Sequence, residues 1–103
     1  MNKIEYVTSF IETLRNGDKD KIYKFFTPRS IIFDTNELRE WTLDEFISYL
    51  KANLMGKEIK IGRIFESDVA VKIEIESDLF SYDAFIIEIK ERRIKRLDLY
   101  KAN

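Results

Sequence analysis

Residues 10–26 read FIETLRNGDKDKIYKFF, and this stretch decides how the N-terminal half of the chain folds. Its first apolar side chains recur at three- and four-residue steps, which is the pattern of one face of a helix. Gly17 stands where a left-handed residue ends a helix, and Asp18 supplies an N-cap for the next one. The stretch therefore predicts two helices separated by a short break, with Phe25 and Phe26 at the end of the second.

The neighbouring residues fix the limits of these helices. Asn2 and Glu5 have the spacing of a capping box, so the first helix begins there. Pro28 disfavours helix at the residue before it, so the second helix stops by that point. The segments SIIFD (30–34) and LREW (38–41) then predict a short hairpin.

A third helix and a sheet are predicted for the remainder. Thr42 and Glu45 form another capping box, and Gly56 ends the apolar stripe that follows. From Lys57 onward the period changes to two. The alternation predicts antiparallel strands over residues 58–66, 69–76, 80–90 and 93–100. Their inward side chains would be Val71, Ile73, Ile75, Phe85, Ile87, Leu97 and Leu99.

The order of these elements predicts an α+β fold, with three helices packed on one face of a curved antiparallel sheet. A chain of 103 residues is expected to form a single domain, spanning residues 1–103. One face of the sheet is apolar and the other is charged, so only one face needs to be covered.

Composition excludes several classes of function. The 18 basic and 19 acidic residues give a net charge of -1, which is unlike the basic excess of a nucleic-acid binder. The sequence has no cysteine and no histidine, which removes thiol chemistry and the commonest metal ligand, so we expect no metal and no cofactor. No apolar run approaches membrane-spanning length, so we expect a cytoplasmic protein without a membrane partner.

Three segments carry a family resemblance: LRNGD (14–18), KFFTPRSIIFD (24–34) and RRIKRLDLY (92–100). In their order and spacing they resemble the nuclear transport factor two-like superfamily, and in particular its SnoaL-like branch of cystatin-like folds. The resemblance covers essentially the whole chain, although Arg92 replaces the usual turn glycine. It implies a cone in which the sheet wraps around the helices, with a pocket at the open end.

The resemblance also implies a role for Asp34, which matches the position of a general base in ketosteroid isomerase and several cyclases. A carboxylate in an apolar cone would have a raised pKa suited to proton abstraction. The positions of that isomerase's two hydrogen-bond donors fall on Phe10 and Phe85, which cannot donate to a developing oxyanion. The alternative is that Asp34 begins the turn DTNE, and the sequence favours this turn.

A set of apolar and aromatic residues is expected to surround the pocket. They offer a platform for a flat apolar ligand, or they simply fill the cone, since aromatic side chains dominate ordinary cores. The set is Phe10, Phe26, Phe33, Trp41, Phe46, Tyr49, Phe85 and Leu97.

Two surface features bear on partners. ERRIKR (91–96) is the densest basic stretch, but it has no aromatic neighbour in sequence and we expect a solvated turn. Superfamily members often dimerise through the outer face of the sheet, so a polar homodimer is expected there. That face would carry Lys72, Glu74, Glu76, Glu88, Lys90, Arg96, Asp98 and Tyr100.

Three functions remain open at this point. The first is a non-catalytic domain that binds a small apolar or amphipathic molecule in its cone. The second is an isomerase- or cyclase-type enzyme that uses Asp34 as base. The third is a dimeric interaction module whose cone is closed by its own aromatic side chains.

Overall fold

Three helices and six strands form within residues 2–102, which are the residues that the structure, a computed structural model, describes. The helices are α1 (Lys3–Asn16), α2 (Lys19–Tyr23) and α3 (Leu43–Asn53). The strands are β1 (Phe26–Asp34), β2 (Arg39–Trp41), β3 (Lys60–Glu66), β4 (Ala70–Glu76), β5 (Ala84–Lys90) and β6 (Arg93–Tyr100). The fold class is α+β, as the sequence predicts.

The helix ends follow the predicted capping residues. The Asn2 side chain accepts a hydrogen bond from the Glu5 N–H at 2.8 Å, and the predicted capping box at the start of α3 is also present. Gly17 adopts φ 70°, which favours glycine, and the Asp18 side chain caps α2. Local sequence therefore sets these boundaries correctly.

The sheet is mixed, and the prediction that it is antiparallel throughout is wrong in one place. The strand order is β2-β1-β6-β5-β4-β3. The strands β3 to β6 form the predicted antiparallel meander, whereas β1 runs parallel to β6. This pairing joins distant parts of the chain, so the local alternation of side chains carries no information about it.

The boundary between α2 and β1 also differs from the prediction. Phe25 and Phe26 lie outside α2, because the chain turns at Phe25 and runs extended along β6 from Phe26. The Ile94 N–H donates to the Phe25 carbonyl at 2.7 Å, and Phe26 is paired with Ile94. The register of β1 on β6 shifts around Pro28, which tolerates the missing proline N–H.

The core lies between the helices and the inner face of the sheet. All seven side chains predicted to point inward from β4, β5 and β6 are buried, with exposures of 4% or less, which confirms the register of the meander. Full burial of such a side chain stabilises a fold by roughly 1.5–3 kcal/mol. β5 begins at Ala84 rather than at residue 80, because residues 77–83 form a loop over the end of the cone.

The turn between β5 and β6 holds two residues in the left-handed region. Glu91 has φ 54° and Arg92 has φ 61°, the backbone of a tight hairpin in which glycine or asparagine is preferred. A left-handed residue other than glycine costs about 1–3 kcal/mol. The Tyr6 hydroxyl donates to the Arg92 carbonyl at 3.0 Å and ties this turn to α1.

We expect Arg92→Gly to raise the free energy of unfolding by about 0.5–1 kcal/mol, because relief of the backbone strain exceeds the entropic cost of glycine. Urea denaturation measures the difference. Arg92→Ala is the matched control, since it removes the same side chain and keeps the strain, and it should give no gain. Equal stabilities for the two variants would mean that the left-handed backbone is not costly here.

Candidate functional site

Asp34 lies at the mouth of the cone, where the loop of residues 77–83 covers it. It is the last residue of β1, and it is fully buried, with an exposure of 0%. Its cross-strand neighbour is Leu99, which is in turn paired with Phe85. Asp34 therefore shares the apolar inner face of the sheet with these two side chains.

Three donors satisfy the Asp34 carboxylate. Oδ1 accepts from the N–H groups of Asn36 at 2.9 Å and of Glu37 at 3.0 Å. Oδ2 accepts from the Tyr82 hydroxyl at 2.6 Å, within the range of a strong charge-assisted bond. The two backbone bonds are those of the turn that the sequence favours, and Tyr82 adds a contact that the sequence does not indicate.

The electrostatics of this carboxylate follow from the same contacts. Burial alone would raise the pKa of Asp34, but the bonds from Tyr82, Glu37 and Asn36 outweigh burial and hold the pKa below its ordinary value of 3.8. The indole N–H of Trp41 is buried and has no hydrogen-bond partner within residues 2–102. Burial and the Asp34 carboxylate both raise the pKa of Tyr82. A proton acceptor held in this way is a weak base.

The centre of the cone is filled by the phenylalanines that the sequence assigns to a pocket. Phe10 lies edge-on to Phe26 with ring centroids 5.9 Å apart, and edge-on to Phe85 at 6.0 Å. Phe46 contacts both Phe26 at 6.0 Å and Phe85 at 6.3 Å in the same geometry. Leu97 is buried beneath them in β6. These contacts close a ring of side chains around the centre of the cone.

The mouth of the cone is covered by other aromatic side chains. Tyr49 lies between Trp41 at 5.5 Å and Tyr82 at 5.9 Å, and its hydroxyl accepts the Ser81 N–H at 3.0 Å. Phe80 lies 5.7 Å from Tyr82 and is buried. The β4–β5 loop is thus held across the mouth by hydrogen bonds to Tyr49 and Asp34.

Phe33 does not lie with the other predicted pocket residues, and its assignment to the pocket is corrected. Along β1 the fully buried Ile32 and Asp34 point inward, so Phe33 points to the outer face of the sheet. There the Arg96 guanidinium lies 5.3 Å from the centre of its ring. The predicted strand of residues 30–34 is too short for its side-chain pattern to show which side faces the core, and this is why Phe33 was assigned to the wrong face.

The sequence does not reveal two other features of the site. Tyr82 and Phe80 close the mouth from a loop that the pattern assigned to a strand. Ile86 and Phe65 lie on the outer face of the sheet, opposite Lys72 on the neighbouring strand. The uninterrupted apolar run AFII (84–87) in β5 is the one sequence signal that both faces of this strand are apolar.

Several open clefts within residues 2–102 lie outside the aromatic cluster. Two are on the outer face and at the edge of the sheet, beside Lys72 and beside Lys60, and another is near the start of α1. Within residues 2–102 no group of three or more acidic, cysteine or histidine side chains is placed to hold a metal ion. In the same range no helix has the length and hydropathy needed to cross a membrane.

Comparison with known proteins identifies the fold. No family model matches the sequence, and no curated protein matches it. Solved structures do match. An NTF2-like protein of unknown function from Cytophaga hutchinsonii superimposes with a TM-score of 0.74 and 14% identity, over 97% of this chain and 89% of that one.

Two further structures carry names that suggest chemistry. A putative SnoaL-like polyketide cyclase from Shewanella putrefaciens gives a TM-score of 0.70 with 16% identity, over 95% of this chain and 79% of that one. A protein with a ketosteroid isomerase-like fold from Catenulispora acidiphila, in complex with trimethylamine, gives 0.69 with 12% identity, over 98% and 88%. This chain therefore has the NTF2-like, SnoaL-like fold, and at these identities the likeness concerns the fold alone.

We expect Asp34→Asn to lower the free energy of unfolding by about 1–2 kcal/mol near pH 7, because the amide loses the charge-assisted bonds. The folded-state pKa of Asp34 lies below its unfolded value of about 4. At pH values above that unfolded value, the ionised carboxylate contributes its full stabilisation to the fold. This contribution is lost as the pH falls through the folded-state pKa. Urea denaturation near pH 7 and near pH 3 should show the gap between variant and wild type shrinking in acid.

Tyr82→Phe is the companion variant, since it removes the 2.6 Å bond and keeps the ring. It should destabilise the wild-type protein and have less effect in the Asp34→Asn background, as coupled partners do. An Asp34→Asn protein more stable than wild type at pH 7 would instead identify a desolvated acid with a raised pKa.

Proposed function

We propose that this chain is a dimeric interaction module whose cone is closed by its own aromatic side chains. The observation that carries the proposal is the fully buried Asp34 carboxylate. Its oxygens accept hydrogen bonds from the turn after β1 and from Tyr82, so the carboxylate is already satisfied within the chain. With the interior occupied, the outer face of the sheet is the broad surface left for a partner.

The two other functions have less support from the contacts. A small apolar ligand in the cone would have to displace Phe10, Phe46 or Phe85, which are fully buried. Chemistry of the isomerase or cyclase type would require Asp34 as a base, and its lowered pKa works against this. The names of similar structures suggest such chemistry, but Phe10 and Phe85 lack the donors that it requires.

The outer face of the sheet is more apolar than the charged face that the sequence predicts. A cross-strand row runs over it from β1 to β3, in the order Phe33, Asp98, Ile86, Lys72 and Phe65. Phe65 is 47% exposed, and Ile86 is half-buried at the middle of the row. Aromatic and aliphatic side chains therefore alternate with single charges across the face, which is the composition of a polar but specific interface.

The charges of this face are largely neutralised within the chain. Arg63 is paired with Glu74 at 3.0 Å and Arg96 with Asp98 at 2.8 Å. The Lys72 ammonium lies 4.4 Å from the centre of the Tyr100 ring. The two arginines are therefore neutralised within the chain, whereas Lys72 keeps its charge beside an aromatic ring.

A second copy is the occupant that best fits this surface. A two-fold interface brings the same patch of both copies together, so the patch must be self-complementary. An apolar row whose neighbouring arginines are paired within the chain can pack against a copy of itself without like-charge repulsion from those arginines. The molecule measures 32 × 31 × 25 Å, so its broad face has room for the roughly 800 Å² per partner of a standard interface.

Sedimentation at micromolar concentration should give twice the monomer mass of 12.4 kDa. Ile86→Lys places an unpaired charge at the centre of the apolar row and should shift the protein to monomer. Leu79→Lys is the matched control, because Leu79 is an exposed apolar side chain, 52% exposed, on the β4–β5 loop. The control should remain a dimer.

Salt should affect this dimer weakly, because the charges on the face are paired within each chain. The dimer predicted from the sequence was polar, and its association would weaken with salt. A wild-type monomer across the micromolar range, or equal mass for the two lysine variants, would overturn the proposal.

A further inference from the structure

The basic stretch ERRIKR begins with the exposed turn that the sequence predicts, and the fold brings this turn against the start of α1. The two elements enclose a cleft of about 430 Å³ at the end of the cone opposite Asp34. Its lining residues are Asn2, Lys3, Tyr6, Ile89, Arg92 and Arg93. None of these six carries a negative charge.

We propose that this cleft binds a small organic anion, with an apolar body against Tyr6 and Ile89 and a carboxylate or phosphate group between Arg92 and Arg93. Guanidinium groups bind both kinds of anion in a bidentate manner. The proposal concerns a surface separate from the outer face of the sheet, so it stands or falls independently of the dimer.

The two arginines are available for an external anion. Neither Arg92 nor Arg93 makes an ion pair with any residue in the range 2–102, whereas Arg63 and Arg96 on the outer face are both paired. Lys3 is less available, since its ammonium lies 3.2 Å from a Glu66 carboxylate oxygen. Positive charge without a partner therefore lies on the rim formed by the β5–β6 turn.

The apolar wall is the part that the sequence could not show. Tyr6 belongs to α1, far from the basic stretch in sequence, and it packs edge-on against Phe25 with ring centroids 5.3 Å apart. Its hydroxyl donates to the Arg92 carbonyl, so the ring is fixed beside the two guanidiniums. Ile89 of β5 completes the wall. The apolar part of an amphipathic anion would pack against Tyr6 and Ile89, and its acid group would lie beside the two arginines.

The cleft is preorganised around the Arg92 carbonyl, which accepts from Tyr6 at 3.0 Å and from the Arg93 guanidinium at 2.9 Å. These bonds hold the turn and the ring in one arrangement before any ligand arrives, which lowers the cost of binding. Burial raises the pKa of the Tyr6 hydroxyl and the nearby Arg93 charge opposes that rise, so Tyr6 is a neutral donor at physiological pH.

The start of α1 is not the anion site. Asn2 and Glu5 cap it reciprocally, which engages both of their N–H groups, and the Glu5 carboxylate in the first turn repels an anion. The cleft also lies far from the mouth of the cone, because β6 runs from Arg93 at the cleft to Tyr100, and eight strand residues span roughly 25 Å. The arginine side chains therefore carry the recognition.

An amide-shift titration of ¹⁵N-labelled protein tests the proposal with three probes of one shape. They are 1-naphthoate, 1-naphthyl phosphate and the neutral 1-naphthalenemethanol. We expect saturable shifts at residues 2–6 and 89–93 with one or both anions and much weaker effects with the alcohol. Binding of only one anion would still support the site and would identify its acid group.

Two variants and one control separate the cleft from general charge. Arg93→Gln should weaken the anion by about tenfold or more, since it removes a charged partner. Arg92→Gly should also weaken binding while the protein folds more stably, so loss of binding cannot be ascribed to unfolding. Lys57→Gln removes a positive charge near the opposite end of α1, beside the Gly56–Leu14 contact, and should bind as wild type.

Three results would overturn the proposal. The first is the absence of saturable shifts at these residues with either anion. The second is equal binding of the neutral alcohol. The third is a loss of affinity in Lys57→Gln as large as that in Arg93→Gln.

Discussion

A carboxylate with no exposed surface holds the mouth of the cone together. Burying a charge without compensation costs several kcal/mol or more, so the fold must bring donors to Asp34. Two come from the turn after β1 and the third, Tyr82, comes from the β4–β5 loop. Because the three donors converge on two oxygens of one side chain, the direction of the β1–β2 hairpin and the position of the loop are fixed together.

The same convergence determines which surfaces remain for function. The loop that supplies Tyr82 also carries Phe80 across the mouth, where it meets Phe85 of the core at 5.2 Å. The Asp34 carboxylate holds the loop over the mouth of the cone. The hydrogen bonds that it accepts lower its pKa, and proton abstraction would require a stronger base. The hydrogen bonds of Asp34 thus hold the turn and the loop together at the mouth of the cone.

The sequence predicts what is local and misses what is not. Helix caps and the period-two register depend on neighbours within a few residues, and the structure confirms them. Phe33 was placed on the wrong face because one residue of uncertainty reverses every side chain of a strand. The bond between Tyr82 and Asp34 and the parallel pairing of β1 with β6 join distant segments. No spacing along the chain encodes such contacts.

The state of the charges distinguishes the two surfaces that remain. On the outer face Arg63 and Arg96 are neutralised by their own neighbours, which suits a surface that meets a copy of itself. At the β5–β6 turn the backbone is left-handed at Arg92, where glycine would relieve the strain, and the side chain it carries has no ion-pair partner within residues 2–102. The strained backbone at Arg92 therefore carries a side chain whose charge adds no stabilising ion pair within residues 2–102. The anion proposed for the cleft would compensate this charge.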